Sequence, residues 1–270
     1  MAINPSMAWK ITPNLFLGGG VYYLYARNEV ENRVDQSNFN SSDGRFRLKL
    51  DGDAWGYDFG ILFQPSHWVR LGAAYRSSVD VDLEGDAKLS RIAPLLQPVF
   101  GGTSFKADVN SELNLPPVVS IGMALFPNKK LTAGIDIEWV GWSRYDRTIL
   151  DFNNETAIPG FSDTTLNHDW NDSWLFKGGL EYQTGDRVAL RAGYSFVESP
   201  VPEKTLSPAA PDADQHNFSI GLGYRHGAYW LDTFYMLSLF EDRKVTNSIL
   251  SGKYESTSHY FGFGFGYKFF

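Results

Sequence analysis

The sequence predicts an all-β protein: an antiparallel up-and-down transmembrane β-barrel of about ten strands, occupying residues 1–270 as one domain. Three observations predict it. Apolar residues recur at every second position in segment after segment, short connections alternate with long ones, and the final segment sets a row of aromatic rings against glycines.

The alternation begins near Leu15 and is clearest where Trp55, Tyr57, Phe59, Ile61 and Phe63 oppose Gly56, Asp58, Gly60 and Leu62. Side chains two apart on a strand share a face, so the rings and aliphatics form one surface. The next segment sets Val69, Leu71, Ala73 and Tyr75 against Arg70, Gly72, Ala74 and Arg76. Later ones set Leu131, Ala133, Ile135, Ile137 and Trp139 against Thr132, Gly134, Asp136 and Glu138, and Val188, Leu190, Ala192, Tyr194 and Phe196 against Ala189, Arg191, Gly193 and Ser195. Phe218, Ile220, Leu222 and Tyr224 likewise oppose Ser219, Gly221, Gly223 and Arg225. The water-facing side of a soluble sandwich is usually rich in Lys, Thr and Glu, whereas this polar face is small and sparsely charged, which suits a lumen.

Pro65-Ser66-His67, Pro127-Asn128-Lys129, Thr184-Gly185-Asp186 and Arg225-His226-Gly227 read as compact turns, expected on the periplasmic side. Glu84 to Lys106, Leu150 to Asp169, Glu198 to Gln215 and Glu241 to Tyr254 read as long outer connections. At the end of the chain, Phe261, Phe263, Phe265, Tyr267 and Phe269 oppose Gly262, Gly264, Gly266 and Lys268, a row poorly tolerated in water. Phe270 lies one residue out of phase with it.

Composition excludes several classes. No apolar run approaches eighteen residues, so a helical membrane protein is excluded, while a mean hydropathy of −0.27 is compatible with a barrel in which only alternate residues meet lipid. A formal charge of −7 and the lack of a dense basic stretch argue against nucleic acid as a partner. The absence of cysteine removes disulfides and thiolate chemistry. No cofactor is implied. The N-terminal Met-Ala-Ile-Asn-Pro shows neither a basic nor an apolar export region.

Several stretches resemble the outer-membrane long-chain fatty-acid transporter family, which includes channels for toluene and other hydrocarbons. They include Ile3-Asn4-Pro5-Ser6-Met7-Ala8-Trp9 with Leu15 to Gly20, Gly72-Ala73-Ala74-Tyr75-Arg76-Ser77, Leu115-Pro116-Pro117, Asp136 to Asp146, Asp169 to Trp174, and Leu190-Arg191-Ala192-Gly193-Tyr194 with Pro200-Val201-Pro202 and Ser207 to His216. The terminal aromatics also resemble the signal by which outer-membrane barrels are recognised for insertion. The resemblance implies a Gram-negative outer-membrane location and uptake of fatty acids or other hydrophobic compounds by loop capture and lateral diffusion. It implies outer-membrane lipid, lipopolysaccharide and the barrel-assembly machinery as partners. Family members have fourteen strands and an N-terminal plug. Residues 2–12 would then be the tail of the fourth strand, and the signal, plug and first strands are expected to be absent. Two other readings stay open: a self-contained barrel enzyme, for which no nucleophile, base and oxyanion set is identifiable, and a passive or structural pore.

Candidate site residues follow. The connection Ile92 to Phe100 is unusually apolar and resembles the family's external capture loop, so Leu95, Leu96, Val99 and Phe100 are expected to meet an apolar tail. Arg70, Arg76, Lys177 and Arg191 on the lumen face could receive a carboxylate, or could pair with Asp136, Glu138 and Glu181 across strands. Trp139, Trp142, Trp170, Trp174 and Trp230 are expected in an aromatic belt at the lipid headgroups. His216 beside Asp212 and Asp214 is read as part of a proline-rich loop in preference to a metal site.

Overall fold

The computed structural model describes residues 1–153, 161–208, 211–247 and 251–269. Phe270 and the Ala209-Ala210 pair of the proline-rich loop lie outside them. Strands β1 (Ala2–Ile3) and β2 (Ser6–Thr12) turn at Pro13-Asn14 into β3 (Leu15–Val34), which pairs along its length with β4 (Gly44–Ser66). There follow β5 (Val69–Arg76), β6 (Val79–Ser90), a single helical turn α1 (Gln97–Phe100), β7 (Ser104–Leu115) and β8 (Val118–Asn128). Next come β9 (Leu131–Val140), β10 (Arg147–Phe152), β11 (Thr164–Asn167), β12 (Ser173–Gln183) and β13 (Val188–Val197). The chain ends with β14 (Gln215–His226), β15 (Tyr229–Phe240), the hairpin β16 (Arg243–Val245) and β17 (Gly252–Tyr254), and β18 (Thr257–Tyr267). The pairings are antiparallel, as expected for hairpin-connected strands.

Two expectations are corrected. Among the described residues the strands number eighteen, not about ten, because several crossings are broken in two. Ser77-Ser78 separates β5 from β6, and Pro116-Pro117, with no N–H to offer a ladder, separates β7 from β8 at the same height. A 3-10 turn at Trp142–Arg144 separates β9 from β10. The barrel is also not closed. Among the described residues β2 and β1 pair only with β3, and β18 only with β15, so sixteen of the strands form one open wall.

The two ends of this wall are built differently. Toward the short turns, Trp55, Tyr57, Phe59, Phe63, Ile121, Ile135, Ile220, Phe263 and Phe265 stand exposed on the face that the alternation assigns to lipid, Phe263 being 85% accessible. Toward the long connections β3 and β4 carry charges instead: Arg45 reaches Glu31 at 2.5 Å, and Glu29 takes Arg47 at 2.5 Å and Arg27 at 3.1 Å. The Arg27 and Arg47 hydrogen bonds hold the Glu29 carboxyl below its ordinary range. Such a change from rings to ion pairs along one strand marks the passage from hydrocarbon to water.

That watery end has its own apolar core. Tyr22, Leu48, Leu50, Val79, Val81, Leu83, Val109 and Phe152 are buried together, with Phe46, Phe100, Phe105 and Leu113 against them. There β6 pairs antiparallel with β4, from Arg45 opposite Ser90 to Asp51 opposite Glu84, and the two backbones come so close that a Cβ on Gly52 would strike the carbonyl oxygen of Asp82, and one on Gly85 that of Lys49. Gly52→Ala is therefore expected to cost about 1–3 kcal/mol by overpacking. Gly60→Ala, whose nearest neighbour would be 3.6 Å away, should stay within about 0.5 kcal/mol. Urea unfolding of the two variants in detergent checks the difference.

Candidate lumen groove and outer mouth

On the face opposite the exposed rings, glycine and serine positions leave a floor over which a few charged side chains lie. Next to β2 this floor forms a groove of about 1170 Å³, with Gly18, Asp58, Arg70, Gly72, Arg76 and Asp136 among its lining residues. A second hollow of about 900 Å³ continues over Lys177, Glu181, Arg191, Asp232, Phe234 and Gly262. The glycines are what make room: an added Cβ at Gly122 would meet the Asp136 carboxylate, and at Gly223 the Asp232 carboxylate and the Arg191 guanidinium.

The four cations expected on this face divide into two kinds. Arg191 is held by Glu181 at 2.6 Å and Asp232 at 2.5 Å, and Gln183 donates to the other Glu181 oxygen at 2.8 Å. Lys177 lies 3.3 Å from Glu138, which also accepts from Ser120 at 3.1 Å. Arg70 and Arg76 have no carboxylate within ion-pair distance among the described residues. Arg70 lies over the Phe126 ring at 4.6 Å and Arg76 over the Tyr22 ring at 5.6 Å. Asp58, opposite Arg76 across β4 and β5, instead accepts from Asn4 at 2.6 Å. The cross-strand ladder thus accounts for Lys177 and Arg191 but leaves two cations facing the groove.

The expected capture residues sit at the outer end. Leu95 is 72% and Val99 61% exposed, four residues apart around α1, while Leu96 is half-buried. Phe100 turns inward, its ring 5.9 Å from Phe105 and packed on the loop core. The structure therefore separates the set into an outward pair and an inward anchor.

The aromatic belt holds for only part of its expected membership. Trp139 and Trp174 are cross-strand partners on the lipid face, and Trp174 is 44% exposed. Trp230 instead lies on the lumen face, because its ring fills the space that a side chain at Gly266 would take. Phe234 does the same over Gly262. Periodicity carries this signal, since Trp230 shares phase with Asp232. Trp142 and Trp170 join Tyr145 and His168 in a ring cluster outside the belt. Tyr145 stacks on His168 at 4.3 Å, and Trp170 meets Tyr145 at 4.9 Å and Trp142 at 5.1 Å. Burial lowers the His168 pKa from its ordinary value, against the opposing pull of Asp146 and Asp169. These contacts join segments far apart in the chain, and no spacing announces them.

The proline-rich loop is fastened by hydrogen bonds. Asp212 and Asp214 both bind Ser199, Arg243 donates to the carbonyls of Val201 (2.8 Å) and Asp212 (3.1 Å), and His216 lies 2.8 Å from the Tyr194 hydroxyl. Among the described residues no group of acids and histidines is placed to hold an ion.

Comparison with known proteins agrees with this architecture. The family model described as "Outer membrane protein transport protein (OMPP1/FadL/TodX)" matches residues 1–269. A putative outer membrane protein of Neisseria meningitidis serogroup B is 28% identical over 214 residues, which is 76% of this chain and 46% of that one. A long-chain fatty acid transport protein of Escherichia coli O6:H1 is 26% identical over 253 residues, 82% of this chain and 54% of that one. The chain spans about half the length of the curated relatives it matches. A Pseudomonas aeruginosa FadL homologue superposes with a TM-score of 0.84 at 20% identity, over 100% of this chain and 68% of that one. The Pseudomonas putida toluene transporter TodX gives 0.64 at 20% identity, over 90% and 64%. Members of this family are transport channels and not enzymes, which removes the enzyme alternative. With its lipid-facing rings and a family match that runs from end to end, the chain belongs to the OMPP1/FadL/TodX family of Gram-negative outer-membrane transport proteins.

Proposed function

We propose that residues 1–270 act as one unit, forming wall and mouth of an outer-membrane channel that takes up long-chain fatty acids or similar hydrophobic compounds. Leu95, Leu96 and Val99, on a turn that Phe100 anchors to the loop core, capture the tail among the outer loops, the groove receives the molecule, and it leaves sideways toward the membrane. Each methylene sheltered from water gains roughly 0.8 kcal/mol, so an apolar foothold at the mouth lowers the barrier to crossing a polar outer layer. The outward rings, through Phe269, form the surface offered to outer-membrane lipid, lipopolysaccharide and the assembly machinery.

One observation carries this reading: two lumen cations, Arg70 and Arg76, line the groove with no carboxylate at ion-pair distance among the described residues, while Lys177 and Arg191 are both paired. An unpaired guanidinium is the group a carboxylate head would seek. Ligand binding to the purified chain tests it. Arg70→Gln with Arg76→Gln is expected to weaken oleate binding about tenfold and to leave toluene binding unchanged. Equal loss of both ligands, or of neither, would refute head-group recognition by these residues. In lipid bilayers the protein is expected to conduct ions poorly, and large steady single-channel currents would favour a passive pore.

A further inference from the structure

The turn that carries Leu95 and Val99 is rooted at both ends. At its far end Phe100 packs on the loop core, and at its near end Ile92 and Ala93 are buried. Local bonds close the base: the Ile92 N–H donates to the Thr103 carbonyl at 3.1 Å, and the Gln97 side-chain amide donates to the Ile92 carbonyl at 3.0 Å.

One side chain from elsewhere ties this base to the wall. Gln36 stands in the connection from β3 to β4 and is only 4% accessible. Its Nε2 donates to the Arg91 carbonyl at 2.9 Å, and its Oε1 accepts from the Ala93 N–H at 2.6 Å, so a single amide grips the chain on both sides of Ile92. Glutamine suits the place because its amide is donor and acceptor at once. The Ala93 N–H is buried, and without this oxygen it would lose its bond with no water to replace it. Arg91 stands at a φ of 58°, a left-handed conformation uncommon for arginine, which the clamp helps to hold. Room for the amide comes from Gly44 at the start of β4, where an added Cβ would run into the Gln36 Nε2.

The clamp matters for what the turn displays. An unrooted loop with two exposed aliphatic side chains would fold them against the apolar core beside it. A rooted one has to present them.

We infer that Gln36 is a positioning residue for ligand capture: its amide fixes the root of the turn, so that Leu95 and Val99 stand out over the mouth before any ligand arrives. The inference rests on the capture step proposed above and adds to it the residue that preorganises the turn. Preorganisation removes the cost of ordering the turn at the moment of contact, and for a first, transient contact that saving appears as a rate.

Stopped-flow binding of the fluorescent fatty acid cis-parinarate to the full chain in detergent tests it, with heat-modifiable migration confirming that each variant is folded. Gln36→Leu is expected to slow association about fivefold. Release should slow by the same factor and leave the equilibrium affinity unchanged, since the molecule lodged in the groove no longer touches the turn. Gly44→Ala, which displaces the amide without altering it, should give the same signature, and it carries the test should Gln36→Leu fail to fold. A purely structural role would lower the amount of competent protein and leave the rates of the remainder as they were, which would overturn the inference. A weaker affinity with release unchanged would also overturn it, by placing the effect on the bound state. Leu95→Ser with Val99→Ser separates the two readings. If this double variant slows association while the Gln36 and Gly44 variants do not, the clamp alone is refuted. If none of the variants slows it, the capture step falls as well.

Discussion

Phe263→Asp combined with Phe265→Asp is expected to abolish assembly of the protein into membranes. Both rings point away from the Gly262, Gly264 and Gly266 face, where Trp230 and Phe234 already fill the space, so neither aspartate can turn inward. Each substitution forfeits roughly 1.5–3 kcal/mol of ring transfer and adds a carboxylate in hydrocarbon, at up to about 2 kcal/mol. Two such losses rival the whole stability of a typical domain, about 5–15 kcal/mol. Tyr260→Asp is the control, since Tyr260 lies in the same strand but on the lumen side opposite Met236. It is expected to assemble normally. Heat-modifiable migration and protease protection in vesicles give the readout, and a folded double variant would refute the sidedness on which the functional reading depends.

Sidedness was legible in the sequence because a strand has only two faces and the chain keeps its period through β4, β5, β9, β13, β14 and β18. The ladder that holds Lys177 and Arg191 was legible for the same reason: Lys177 pairs in register with Asp136, Glu181 with Arg191, and phase alone puts them on one face. What was not legible depends on departures from the ladder. The breaks at Ser77-Ser78 and Pro116-Pro117 turn long crossings into separate strands, and the alternation by itself does not mark where they fall. The loop core around Val81 and Val109 gathers side chains from β3, β4, β6, β7 and β10, segments that no local pattern links. Whether Arg76 would find Asp58 could not be read from their register, because Asn4, far away in the chain, takes that carboxylate first.

Arg191→Met is the second large effect expected. The guanidinium joins acids on the strands either side of it in space, Glu181 on β12 and Asp232 on β15, and lies over Gly221 and Gly223 of β14 in between. Removing it leaves two carboxylates facing each other across a glycine floor with no cation to share. A fully buried pair broken in this way loses about 3–5 kcal/mol, and with a third of the arginine side chain exposed the expected loss here is on the order of 2 kcal/mol. The penalty comes from the stranded acids, so adding Glu181→Gln and Asp232→Asn to Arg191→Met should restore most of the stability, which a sum of independent losses would not do. Urea midpoints of the single and triple variants, folded in the same detergent, decide between the two. A triple variant no more stable than the single one would mean that Arg191 acts by filling the hollow over Gly221 and Gly223 and not by neutralising its neighbours.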